Sequence, residues 1–183
     1  MERATIETER TILRRYTEED AEALYEIAKD PDVGPHAGWA PHESPAASLE
    51  IIRELFLKTD TFAVTDKETG RLIGTTALEP DRLRPDANSW ELGYWLARDQ
   101  WGKGLMTEVA KAMIAYGFED RKLDQIGICT SPVNKRSQNI IKKCGFTYEG
   151  TIRRTYKIYD GTLRDSLVFS MLKEEYEEIR RRW

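Results

Sequence analysis

Residues 89–130, SWELGYWLARDQWGKGLMTEVAKAMIAYGFEDRKLDQIGICT, decide the architecture. SWELGYWLA reads as a strand, and by its period of two Glu91, Gly93 and Trp95 share one face, with Trp90, Leu92, Tyr94 and Leu96 on the other. From Leu105 the pattern changes to a helical stripe of Leu105, Val109, Ala112, Met113 and Tyr116. QIGICTS is then a short buried strand. A helix between two strands implies that they run parallel.

The rest of the chain is arranged around this unit. IETERTILRRY, residues 6–16, reads as a first strand, and Thr17 with Asp20 forms a capping-box pattern for a helix that stops near Asp30-Pro31. The loop PDVGPHAGWAPHESP leads to Ser44-Pro45, an N-cap and first helical position for a helix near 45–58 that buries Ile51, Ile52, Leu55 and Phe56. TFAVTD and RLIGTTALE flank the turn KETG as a hairpin, with SWELGYWLA as the next strand of the meander. After QIGICTS come a helix near 135–144, capped by Asn134 and stopped by Gly145, and then two strands around the turn DGT. The tail KEEYEEIRRRW is a helix with acids first and arginines last, which suits the helix dipole. The expectation is a single domain over residues 1–183, mixed α/β, with one mixed sheet and helices on both faces.

Composition narrows the function. A chain of 183 residues with 40% hydrophobic and 33% charged residues is an ordinary globular balance. Its net charge of −4 argues against a broad nucleic-acid or anionic-membrane surface. The N-terminal stretch MERATIETERTILRRY has no apolar signal-peptide core, so the expected location is cytoplasmic. Cys129 and Cys144 read as buried free thiols, and His36 and His42 lie in a loop without a matching ligand cluster; no metal is expected.

Three places carry chemistry. The first is the segment after SWELGYWLA, where Gly102 and Gly104 open a helix. Free N–H groups and the helix dipole favour an anion there, over the alternative that the glycines serve only the turn. Lys103 adds a positive charge. Thr107 stands where a dinucleotide fingerprint needs glycine, and the Gly-Lys-Ser/Thr ending of a Walker loop is absent. The second place is SPVNKRSQNIIKKCGF, where Ser137 lies at the N-terminal end of the face that carries Ile140, Ile141 and Cys144. Its hydroxyl either bonds the helix backbone or faces a ligand with Asn134. The third is Glu91, an acid within an apolar strand, which is either half of an ion pair or a base of raised pKa. Gly93 beside it leaves room for a ligand or a bulge.

YWLARDQWGKGLMTEV, SPVNKRSQNIIKKCGFTYEGTIR and YDGTLRDSLVFSML, in that order and spacing, resemble the GNAT acetyltransferase superfamily, and more narrowly its RimJ/RimL-like branch. The resemblance implies a mostly antiparallel sheet of about seven strands, with a central parallel pair that splays to admit the pantetheine of acetyl-CoA. It implies backbone pairing of that arm near Trp95 and Leu96, and a pyrophosphate on the loop of Trp101, Gly102, Lys103, Gly104, Leu105, Met106 and Thr107. Asn134 would contact the pantetheine, and Ser137 would lie near the thioester sulfur. Trp101 stands where the family has Gln or Arg, and Met106 where it has Gly or Ala.

The implied activity is acetyl-CoA-dependent N-acetylation of a primary amine, a protein N-terminus or a small molecule, by direct attack in a ternary complex. Glu91 is the preferred base, Ser137 the donor to the leaving sulfur, and Tyr156 a second polar candidate. Cys144, at a helix C-terminus in an apolar stripe, is a poor nucleophile. Trp39 is expected to wall the acceptor pocket beside Glu91. No nucleic acid or membrane partner is expected, and the chain would be a monomer or homodimer. The rival readings are a non-catalytic acyl-CoA-binding module and a nucleotide-phosphate binder.

Overall fold

A computed structural model describes residues 5–183; residues 1–4, the start of the N-terminal stretch above, lie outside it. The strands are β1 (Thr5–Glu7), β2 (Thr11–Arg15), β3 (Asp60–Asp66), β4 (Leu72–Pro80), β5 (Ser89–Leu96), β6 (Gln125–Thr130), β7 (Thr147–Lys157) and β8 (Leu163–Leu172). They form one sheet in the order β1-β2-β3-β4-β5-β6-β8-β7. Every pairing is antiparallel except β5 with β6.

The sheet has eight strands because residues 6–16 form a hairpin rather than one strand. Thr8 makes the turn: its N–H donates to the Thr11 carbonyl at 2.9 Å, and the Thr11 N–H returns a bond of 2.9 Å to the Thr8 hydroxyl. A threonine hydroxyl supports such a turn without Gly or Pro, so the sequence pattern carries no break there.

The helices are α1 (Ala21–Ala28), α2 (Gly34–Ala37), α3 (Pro45–Glu54), α4 (Leu105–Ala115), α5 (Lys135–Cys144) and α6 (Lys173–Ile179). Their ends follow the expected caps. Ser44 accepts from the Ala47 N–H at 3.1 Å and Asn134 from the Ser137 N–H at 3.1 Å, while Gly145 closes α5 in the left-handed conformation. The Thr17 N–H donates to Asp20 at 2.9 Å. α2 is a single turn inside the stretch read as loop, and α3 stops at Glu54, followed by a tighter turn at Phe56–Lys58.

Two cores flank the sheet. α4 and α5 cover one face through Leu92, Leu96, Val109, Met113 and Ile141, while α1 and α3 cover the other through Leu24, Ile52 and Ala63. Of the stripe expected to be buried on α3, Ile52 is fully buried, but Ile51 is 37% and Leu55 43% exposed. These two line a cavity instead. No helix among the described residues is long and apolar enough to cross a membrane.

Candidate active site

The site begins where β5 and β6 part. Their ladder pairs Ser89 with Gln125, Trp90 with Ile126 and Glu91 with Gly127, and then ends. β5 continues to Leu96 beside β4, and β6 to Thr130 beside β8. The parting is clamped at its origin by buried Asp81, which accepts from Ser89 Oγ at 3.1 Å and from Arg84 at 2.7 Å. A Cβ on Gly127 would lie 2.5 Å from the Asp81 carboxylate, so glycine is what lets this clamp close.

Past the clamp, a cavity opens on each side of the gap. One, of about 340 Å³, runs from Tyr94, Trp95 and Leu96 over Gly102, Gly104 and Thr107 to Asn134 and Ser137. The other, of about 720 Å³, contains Glu91, Gly93, Cys129, Trp39 and Tyr156. Tyr94, Trp95, Asn134 and Ser137 line both. At this junction the Tyr94 hydroxyl and Ser137 Oγ lie 3.2 Å apart in a hydrogen bond. Ser137 is thus bound to a side chain across the gap rather than to its own helix. Burial drives the Tyr94 hydroxyl pKa well above its ordinary value, so it stays protonated and able to donate.

The glycine segment is both a turn and an open cradle. Gly102 and Gly104 have φ of 78° and 80°, the left-handed region that favours glycine. Among the described residues nothing accepts from the N–H groups of Gly102, Lys103, Gly104, Leu105 or Met106, whereas the Thr107 N–H donates to the Gly104 carbonyl at 3.1 Å. A Cβ on Gly102 would meet no atom within 4 Å. The Glu108 carboxylate in the first turn of α4, which would oppose an anion, is tied up by Arg10, through its N–H at 2.7 Å and Nε at 2.9 Å. Arg10 also donates to the Lys103 carbonyl at 3.0 Å, so the turn of the first hairpin holds the loop. These features fit a phosphate group.

The two departures from the family pattern have structural roles. Trp101 Nε1 donates to the Leu96 carbonyl at 2.9 Å, and the Arg136 guanidinium stacks over its ring at 4.4 Å. The indole therefore joins the end of β5 to α5. Met106 is only 5% exposed and packs with Leu105 in the core on the α4 face.

Glu91 is half of an ion pair and also has a raised pKa. Its carboxylate lies 3.3 Å from Arg82 Nε, yet burial outweighs that partner and holds its pKa above the ordinary glutamate value. Glu79, directly opposite on β4, pushes the same way. Beside it, burial pushes the Cys129 thiol up to about 11, and on α5 it pushes Cys144 up to about 12, so neither is a ready thiolate.

Trp39 walls the larger cavity, in edge contact with Trp95 at 5.4 Å. Tyr156 also lines it, but its hydroxyl donates to the Ala37 carbonyl at 3.2 Å, and Arg82 covers its ring at 4.9 Å. Lys103 bonds Gln100 at 3.1 Å. The residue that sequence reasoning passed over is Tyr94. The alternation placed it among Leu92 and Leu96, where an aromatic ring reads as core, and only the partner across the gap reveals its hydroxyl.

Comparison with known proteins agrees with this geometry. Residues 10–147 match the family described as acetyltransferase (GNAT) domain. The chain is 32% identical over 177 residues to the uncharacterized N-acetyltransferase p20 of Bacillus licheniformis, covering 94% of this chain and 98% of that one. It is 27% identical over 132 residues to the ribosomal protein uS5-alanine N-acetyltransferase of Escherichia coli, covering 71% of this chain and 67% of that one. Among solved structures it resembles a GNAT-family acetyltransferase from Bacillus anthracis with a TM-score of 0.83 at 23% identity, over 93% of this chain and 99% of that one. A sheet parted at its parallel pair and a family match across most of the chain lead to one assignment: this chain belongs to the GNAT family and is an N-acetyltransferase.

Proposed function

We propose that this chain, acting as one domain over residues 1–183, moves the acetyl group of acetyl-CoA directly to a primary amine at the Tyr94–Ser137 junction. The supporting observation is that the cradle-side and Glu91-side cavities meet there and share Ser137. Acetyl-CoA supplies a thioester, whose acetyl group passes to nitrogen while the thiol leaves. The glycine loop, from Trp101 to Thr107, would hold its pyrophosphate on backbone N–H groups. Asn134 and the free edge of β5 near Trp95 would hold the arm; the Leu96 carbonyl is already taken by Trp101.

The chain's own groups account for the protons. Glu91, ionised but raised in pKa, takes a proton from the amine, directly or through a water. Ser137 Oγ, held by the Tyr94 hydroxyl, gives a proton to the departing sulfur, and the proton that Glu91 took from the amine returns to Ser137 through solvent. A β5 N–H between Tyr94 and Leu96 stabilises the negative charge that develops on the carbonyl oxygen. Tyr156, held between Ala37 and Arg82, serves the cavity wall in this scheme.

The test is CoA release measured together with calorimetric binding of acetyl-CoA. Glu91→Gln and Ser137→Ala are expected to slow release by about 100-fold or more while Kd for acetyl-CoA changes little. Tyr94→Phe acts through Ser137, so the Tyr94→Phe/Ser137→Ala pair is expected to be no slower than Ser137→Ala alone. Wild-type rates in both single variants of Glu91 and Ser137 would mean that neither residue carries the chemistry; no CoA release by the parent protein despite acetyl-CoA binding would favour a non-catalytic acyl-CoA-binding module.

A further inference from the structure

The Glu91-side cavity has two unlike ends. On β5, Glu91, Gly93 and Trp95 form successive positions of its floor. Gly93 is exposed, and a Cβ built on it meets no atom within 4 Å. Its φ lies outside the left-handed region, so the backbone does not call for glycine there. The missing side chain leaves a gap between a carboxylate and an indole.

Beyond that gap the wall is aromatic and aliphatic. Trp95 meets Trp39 at 5.4 Å, and Trp39 meets His42 at 5.3 Å. Ile51 on α3 and Leu55 just after it present exposed side chains to the same space. His42 is bound through Nδ1 to Ser48 Oγ at 2.7 Å, and burial lowers its pKa, so it adds no charge. Among the described residues, the lining from α2 through β3 holds no carboxylate. The acids of the cavity are Glu79 and Glu91, which face each other on β4 and β5, and Asp165 on β8, which accepts from the Arg154 N–H at 2.9 Å.

Resting on the acetyltransferase reading, we infer that the acceptor is a primary amine with a bulky aromatic or branched apolar body. Its nitrogen lies at Glu91, and its body crosses Gly93 against Trp39, Trp95, Ile51 and Leu55. Apolar surface that Ile51 and Leu55 leave in water is then covered by the acceptor. A polyamine or aminoglycoside would place its further ammonium groups against a wall without a counter-charge. Free arylalkylamines and peptide N-termini that begin with Phe or Leu share this chemistry.

The experiment compares kcat/KM, with products identified by mass, for 2-phenylethylamine, a Phe-initial peptide, the matching Gly-initial peptide, spermidine and kanamycin. At least one of the first two is expected to exceed the last three by about 10-fold or more, and which one does so separates free amines from N-termini. Gly93→Val fills the gap in a strand that tolerates a β-branched residue, so its melting temperature should not fall. It is expected to cut kcat/KM for the apolar acceptor about 10-fold while acetyl-CoA binding stays within about 2-fold. Leu55→Asp, on an exposed position, should raise KM for that acceptor several-fold more than for the Gly-initial peptide.

Equal or better use of spermidine, kanamycin or the Gly-initial peptide overturns the assignment. So does a protein that binds acetyl-CoA but neither binds nor acetylates either apolar amine. Failure to bind acetyl-CoA at all would overturn the acetyltransferase mechanism itself.

Discussion

Glu91 sits between opposing influences, and its pH response follows from their balance. Burial and Glu79 raise its pKa, while Arg82 lowers it. A base must be ionised to act, so kcat/KM should rise with pH through an apparent pKa above the ordinary glutamate value of about 4.3. Removing the lowering partner in Arg82→Ala should move that limb to still higher pH, and Glu91→Gln should abolish it. A pH–rate profile of the three proteins checks this, and an unmoved limb in Arg82→Ala would place the base elsewhere. Glu91 was legible in the sequence because an acid in an apolar strand needs a reason. Tyr94 was not, because a tyrosine there packs as well as a phenylalanine and the alternation is blind to its hydroxyl.

At the scale of elements, the glycine loop joins a strand end to a helix start and leaves its N–H groups facing a cavity. Gly102→Ala isolates the two contributions. Its Cβ touches nothing in the protein, so the loss of stability should be only the left-handed backbone penalty of about 1 kcal/mol. If the loop holds the pyrophosphate, as proposed, the new methyl would crowd it, and acetyl-CoA affinity should fall about 10-fold or more. Thermal melts and calorimetry measure the two effects separately; equal affinity in the variant would mean that the loop is a turn and no cradle. The strand–helix–strand unit was readable because its periodicity switches from two to 3.6 at the glycines. The exposed Ile51 and Leu55 were misread because the apolar wall of a cavity and the apolar face of a core have the same helical spacing. The first hairpin was missed because a Thr hydroxyl made its turn.

Across the whole molecule, the sheet binds two cores and the parting at β5–β6 lets the cavities on its two sides meet. Stability away from the site depends on ion pairs such as Arg14–Asp20, at 2.7 Å with Asp20 nearly buried. Burial raises the Asp20 pKa, but Arg14 and the Thr17 N–H together more than reverse this, and its folded value lies below the ordinary one. A depressed carboxylate contributes stability that is fully present above the unfolded pKa, near 3.9, and is lost as pH falls through the folded value. Asp20→Asn should therefore be less stable than the parent at neutral pH, and the difference should shrink below about pH 4. Urea unfolding at several pH values measures it; a constant difference across that range would mean the carboxylate charge is not what matters.

In the proposed mechanism the acetyl group changes hands at the Tyr94–Ser137 junction, between the parted strands. A crystal structure of the protein with acetyl-CoA tests it most directly. The pantetheine should run through the gap past Asn134, with the pyrophosphate on the Gly102–Gly104 loop and the thioester sulfur within about 3.5–4 Å of Ser137 Oγ. A thioester bound away from Ser137, or a pantetheine outside the β5–β6 gap, would contradict the account.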